Sequence, residues 1–215
     1  MPQEDSDVMT DKMTLHWSPR SPYVRKVMVV AHELDVVDRL ACVRTVVGGT
    51  EPHLPLMQEN PLGKIPTLVT PDCGYLYDSI VVCEYLNHHA QGSLFPTDFP
   101  ARMQALRWQA LGSGMLDISL LRLTERNKSD TMRSAPHQAL WEAKIRACIP
   151  ALEAEAEALA ATPFNIGHVT LGVALAYLDF RFAAEAWQQG HPRLAAWHAA
   201  FSARPSVIAT AFAEG

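Results

Sequence analysis

Every stretch of this chain that reads as a β-strand ends by Tyr77, and beyond Gly92 the apolar residues recur only at helical spacing. That asymmetry points to an α/β domain over 13–92, a linker over 93–100 and an all-helical domain over 101–215. Met13 to Trp17 reads as a short strand, and from Pro22 the residues Val24, Val27, Met28, Ala31 and Leu34 keep helical spacing. Pro22 suits a first helical position, where its missing N–H costs nothing, and Ser21 suits the cap before it. Leu40 to Val47 is β-branched and apolar enough for a second strand, ended by Gly48-Gly49. A strand, a helix and a strand at this spacing imply a right-handed βαβ unit. The Gly- and Pro-rich stretch 48–63 is expected to be irregular with a short helix. Ile65 to Thr70 reads as a strand, Pro71-Asp72-Cys73-Gly74 as a turn and Tyr75 to Tyr77 as the returning strand. Ser79 is then expected to cap a helix through Ile80, Cys83 and Leu86.

In the helical half, 101–128 reads as one helix in which Gly112 and Gly114 each cost up to about 1 kcal/mol against Ala. Trp141, Ile145, Cys148, Leu152, Ala156 and Leu159 form one stripe, interrupted by Pro150, which predicts a kink. Leu171, Leu175, Leu178, Phe182 and Ala186 form another. Shorter helices are expected over 192–202 and 205–212.

Composition narrows the function. The chain has 215 residues, 48% of them apolar and 19% charged, with a formal net charge of −5, as an ordinary globular protein does. No basic run is interleaved with aromatics, so nucleic acid is not an expected partner. No apolar stretch has the length of a membrane span. Residues 1–12 lack the charged and apolar regions of a signal peptide and read as a disordered extension. The four cysteines make no C-x-x-C pair, and the nine histidines make no metal-binding set, so no metal is expected. Cys42, Cys73 and Cys83 are expected to act as small apolar side chains. A cytoplasmic location follows from this cysteine usage.

The junction Ser18-Pro19-Arg20-Ser21-Pro22-Tyr23 runs a strand into a helix. The N–H groups at a helix start are unpaired and partly positive, so they favour an anion or a thiolate placed there. Asp78-Ser79 repeats the arrangement at a second helix start.

These motifs carry a family likeness. Ser21-Pro22-Tyr23-Val24-Arg25-Lys26-Val27, then Asn60-Pro61-Leu62-Gly63-Lys64-Ile65-Pro66-Thr67-Leu68, then Tyr77-Asp78-Ser79-Ile80 with Glu84-Tyr85-Leu86, resemble the cytosolic glutathione S-transferases. The bacterial Ser-Pro-Tyr-Val-Arg-Lys type is the nearest likeness, and it covers almost the whole chain. The resemblance implies a thioredoxin-like βαβ-ββα domain followed by a helical bundle, usually assembled as a homodimer. It implies a cis Ile65-Pro66 bond that turns the backbone of Ile65 toward the cysteinyl part of glutathione. Asp78 and Ser79 would take the γ-glutamyl carboxylate, and Lys64 would face the glycyl end.

By the same likeness, Ser21 would donate a hydrogen bond to the glutathione thiolate, with Ser18 as the competing donor. The electrophile would sit between the domains against Trp17, Arg20, Trp108, Met115 and Arg122, with Arg20 favouring an anionic acceptor. The implied activity is transfer of a small electrophile to glutathione. Glutathione-dependent isomerisation, peroxide reduction or disulfide reduction, and a non-catalytic binding role, remain open on the same fold. Members usually open the long buried helix with a Ser/Thr-x-x-Asp capping box; Thr170-Leu171-Gly172-Val173 keeps the hydroxyl and lacks the acid.

Overall fold

The structure, a computed structural model, describes residues 12–48 and 51–214; most of the expected N-terminal extension, Gly49 and the last residue lie outside them. The first half contains β1 (Met13–Trp17), α1 (Pro22–Glu33), β2 (Leu40–Arg44), α2 (Leu54–Met57), β3 (Thr67–Thr70), β4 (Gly74–Leu76) and α3 (Ser79–His89). The second half contains α4 (Phe99–Arg126), α5 (Ala135–Ala161), α6 (Ile166–Phe182), α7 (Pro192–Ser202) and α8 (Pro205–Ala209). The expected two-part architecture, a mixed sheet with helices and then helices alone, is present.

The sheet order is β2-β1-β3-β4. β1 runs parallel to β2 and antiparallel to β3, and β3 pairs antiparallel with β4. Leu15 stands between Cys42 on one side and Leu68 on the other. Leu15 and Leu68 are fully buried against Val27 and Val30 of α1 and Val82 and Leu86 of α3. Alternation along β1 therefore drives the sheet onto the helices.

Two strands are shorter than their sequences suggest, and β4 is shifted by one residue. β2 stops at Arg44, β3 starts only at Thr67 and β4 ends at Leu76. The apolar residues beyond β2 have no partner strand, since β1 ends at Trp17; Val46 is 70% exposed. Of the cysteines expected to be apolar filling, only Cys83 is buried, while Cys42 and Cys73 are exposed. Burial pushes the Cys83 thiol up to about 12, so it stays protonated and inert.

α6 is the centre of the second half. Most of its length is buried, from Ile166 to Leu175 without a break and again at Tyr177 and Leu178. Gly112 of α4 faces it. A Cβ there would stand 2.9 Å from the backbone carbonyl carbon and oxygen of Thr170, so this glycine allows α4 to approach α6 closely. Gly114, by contrast, faces open space. α5 is bound to α4 by Trp108 Nε1, which donates to the Glu155 carboxylate at 2.7 Å, and it continues as helix through Pro150.

The long buried helix starts earlier than the Thr170 motif implies. Asn165 is its cap: the side-chain oxygen accepts from the Gly167 N–H at 2.9 Å. The Asn165 N–H donates to His168 Nδ1 at 3.2 Å, which completes a capping box with His in the place usually held by an acid or Gln. Thr170 is interior, its hydroxyl donating to the Ile166 carbonyl at 2.8 Å. Because Nδ1 accepts, the ring proton is on Nε2, which donates to the Leu159 carbonyl at 2.9 Å.

Only a neutral imidazole can make that pair of bonds, and burial lowers the His168 pKa. His198, buried beside the Gly172 carbonyl, is lowered for the same reason. A depressed value in the folded state means full stability above the ordinary value of 6.5 and progressive loss below it, as the unfolded chain takes up protons the fold refuses. The urea midpoint is therefore expected to fall as the pH drops below about 6.5. His168→Gln, which retains a capping acceptor, should flatten part of that decline, with His198 supplying the remainder.

Candidate functional site

The N-termini of α1 and α3 open into one cleft of about 1030 Å³ between the two halves of the chain. Ser18, Arg20 and Ser21 line it from the β1–α1 junction, Lys64, Ile65 and Pro66 from the loop before β3, and Asp78 and Ser79 from the start of α3. Eight residues separated in sequence, and singled out as chemistry-bearing, thus share one concave surface.

Ser21 is the N-cap of α1, its Oγ accepting from the Val24 N–H at 3.3 Å. That bond uses the oxygen and leaves the hydroxyl proton available to a ligand. Ser18 also lines the cleft, its Oγ accepting from the Arg20 N–H at 3.4 Å, and its carbonyl accepting from the Ser21 N–H at 3.2 Å. At α3 the cap is Asp78 instead of the expected Ser79: Asp78 Oδ1 accepts from the Ile80 N–H at 3.1 Å. Ser79 becomes the first helical residue, so its N–H has no partner within the helix and lies in the cleft wall.

The Lys64–Pro66 loop is held from behind. Asn60 is fully buried, and its Nδ2 donates to the Lys64 carbonyl at 3.1 Å and to Thr67 Oγ1 at 3.0 Å. Thr67 Oγ1 donates to the Lys64 carbonyl at 2.8 Å, and Asn60 Oδ1 accepts from the Leu62 N–H at 3.0 Å. Ile65-Pro66 is cis, as the motif implies. The Ile65 side chain packs with Val24 and Leu56, and Trp17 covers this small cluster. Asn60 and Thr67 are therefore positioning residues, each legible in the sequence only as part of a motif.

Tyr23 joins the halves. Its hydroxyl, from the second residue of α1, donates to the Asp117 carboxylate of α4, and both residues line the cleft. Burial, with Asp117 beside it, holds the phenol well above its ordinary range, so it remains a donor and is no base. Lys26, one helical turn further along α1, is 1% exposed. Burial lowers its ammonium value, against opposing pulls from Cys83, Asp78 and Asp117.

Four residues expected to receive an electrophile lie elsewhere. Trp108 is fully buried and bonded to Glu155, and Met115 belongs to the same core. Arg122 is occupied by Glu185 and lies 4.2 Å over the Phe182 ring. Trp17 supports the Ile65 loop without lining the cleft. Helical spacing selected the apolar face of α4, and that face turns to α6. Arg20 does line the cleft, ion-paired with Glu214 at 3.5 Å. The helical wall is made by Leu120, Thr124, Arg126, Asn127, Tyr177 and Arg181, which no local pattern distinguishes. Among the described residues no group of His, Cys, Asp or Glu could hold a metal ion, and no helix is long and apolar enough to cross a membrane.

Comparison with known proteins places this geometry. The profile "Glutathione S-transferase, N-terminal domain" matches residues 20–89, and "Glutathione S-transferase, C-terminal domain" matches 135–200. A glutathione transferase family member from Pseudomonas fluorescens Pf-5, solved with bound glutathione, is 39% identical over 93% of this chain and 98% of its own, at a TM-score of 0.89. A second Pf-5 structure, with bound S-(propanoic acid)-glutathione, is 39% identical over the same shares at 0.85. Glutathione S-transferase A of Pleuronectes platessa is 26% identical over 218 residues, 94% of this chain and 92% of that protein.

The loop staple yields a stability prediction. Asn60→Ala leaves the Leu62 N–H without its acceptor and removes the amide donor from the buried Thr67 hydroxyl and from the Lys64 carbonyl, which keeps only its bond from Thr67. Urea unfolding should show a loss of about 1–3 kcal/mol. A change within a few tenths would mean that water replaces the amide.

Proposed function

The chain belongs to the glutathione S-transferase family, and on that premise we propose that it is a serine-type transferase that binds glutathione and activates its thiol for attack on a small electrophile. The observation that carries the reading is the convergence of two helix N-termini, a capping serine and the Ile65-Pro66 loop on one cleft. In this reading the Ile65 backbone holds the cysteinyl part of glutathione, Asp78 and Ser79 its γ-glutamyl end and Lys64 its glycyl end. That two similar structures bind glutathione and S-(propanoic acid)-glutathione, a form substituted on sulfur, supports both the ligand and the exposure of its sulfur.

The thiol is the nucleophile, and the protein supplies its environment. The α1 N-terminus offers partial positive charge, worth about 0.3–1 kcal/mol and up to about 2 when partly buried. A charge-assisted bond from the Ser21 hydroxyl adds about 1.5–3 kcal/mol. One unit of thiol pKa corresponds to about 1.4 kcal/mol, so these two effects suffice to bring a free thiol from about 8.5 to near neutrality. Holding thiolate and acceptor in a fixed approach supplies the rest of the rate. Disulfide exchange through an enzyme cysteine is not available at position 21, because the residue there is Ser21.

The proposed compartment is the cytosol, where thiols stay reduced. The proposed assembly is a homodimer, supported by exposed apolar side chains on β4, α3 and the start of α4: Tyr75, Val81, Phe99 and Met103.

Thiolate absorbance of bound glutathione, followed against pH, tests the mechanism. Ser21→Ala should raise the apparent thiol pKa by about one unit, and lower kcat/KM toward an aryl chloride about tenfold or more at neutral pH. Ser21→Thr keeps both hydroxyl and cap and should restore much of both. The same effects from Ser18→Ala, with Ser21→Ala silent, would move the donor role to Ser18. No retention on immobilised glutathione and no thiolate signal would sink the enzyme reading.

A further inference from the structure

The charges along the cleft do not balance. Arg20, Arg44, Lys64, Arg126 and Arg181 face Asp78, Asp117 and Glu214 across it. Asp78 is taken up as the cap of α3 and Asp117 accepts from the Tyr23 hydroxyl. This leaves one carboxylate, Glu214, between Arg20 of the β1–α1 junction and the two guanidiniums of the helical wall, Arg126 and Arg181. Glu214 reaches Arg20 at 3.5 Å and pairs also with Arg181.

The donors there are only partly used. Arg126 gives one bond, from Nη1 to the Arg181 carbonyl at 2.7 Å, and has no acidic partner among the described residues. Arg181 Nε is buried and has no hydrogen-bond partner among them. Aromatic rings fix both groups: Arg126 lies 4.9 Å over Phe182, and Arg181 lies 4.0 Å over Phe180. Tyr177 lines the cleft beside both groups, and the Arg181 guanidinium stands 6.0 Å from its ring centre.

The carboxylate that answers them comes from the tail. The Ala213 N–H donates to the Pro19 carbonyl at 3.4 Å, and Phe212 stacks on Phe180 at 5.0 Å. The tail thus crosses from the helical half to the Ser18–Ser21 junction, carrying Glu214 over the mouth of the cleft. Glutathione, seated as proposed above, uses the opposite wall and leaves this end for the acceptor.

We propose that the electrophile is an anion whose acid group is held by Arg126 and Arg181, and that the Glu214 carboxylate competes for that seat. The inference rests on the transferase reading and names the substrate class for it. A planar guanidinium matches a carboxylate in two parallel bonds, so Arg126 and Arg181 would orient the acceptor as well as attract it.

A chloronitrobenzoate and the matching chloronitrobenzamide test this, being alike in size and leaving group and different in charge. With either, the glutathione sulfur bonds to the chlorinated carbon, the carbon–chlorine bond breaks and chloride leaves with its electron pair. After division by the uncatalysed rate, kcat/KM is expected to favour the benzoate about tenfold, the size of one charge-assisted hydrogen bond. Arg126→Gln and Arg181→Gln should each bring that ratio toward one, and Glu214→Gln should raise it. Arg126 is exposed, so its variant decides the matter if Arg181→Gln does not fold. A ratio near one in the unaltered protein, or one that neither Arg variant changes, overturns the proposal while a normal thiolate signal leaves the transferase reading standing. Loss of that signal in the unaltered protein overturns both.

Discussion

The packing of α1 on both of its sides is the constraint on which the rest of this molecule depends. The helix lies against α3 in the first half and against α6 and α8 in the second. Seven of its residues between Val24 and Ala31, all but Met28, are buried, including Arg25 and Lys26. Arg25 donates to the Val207 carbonyl at 3.2 Å and stands 4.3 Å over the Phe212 ring. A helix buried on both faces cannot rotate or slide without opening two cores. Its N-terminus, with Ser21 and Tyr23, is therefore held at a fixed place between the halves, and the cleft forms in front of it.

What the cleft offers follows from that placement. Two helix starts and a stapled loop present backbone groups that the fold leaves without helical partners, so polar recognition costs no new burial. The Asn60–Thr67–Lys64 bonds keep the loop in shape independently of any ligand, which is the physical content of preorganisation. The Tyr23–Asp117 bond ties α1 to α4 beside the same opening. Capping and binding are compatible in this site because the cap uses the oxygen of Ser21 and the ligand would use its proton.

The places where sequence reasoning missed share one cause. Trp108, Met115 and Arg122 have the residue types of a binding wall and the spacing of a helix face, and spacing says that a face is buried without saying against what. Gly112 reads as a weakness in α4 until Thr170 is seen within reach of where its Cβ would stand. Thr170 reads as a cap until Asn165 and His168 close the box one turn earlier. Arg126, Arg181 and Glu214 gave no signal at all, being isolated charges at the ends of separate elements. Ser79 was displaced from the cap by its neighbour Asp78, a difference of one residue that alters which atoms face the cleft.

The sequence by itself determined the order of elements, the division into a sheet-bearing half and a helical half, and the three motifs that surround the cleft. Those are properties of local spacing, turn residues and caps, which act over a few residues and survive in one dimension. Only the tertiary structure decided which side chains of the helical half face the cleft, which are core, and which charges meet across it. Such contacts join residues far apart in the chain, as Arg20 and Glu214 are, and no local pattern records which faces will meet.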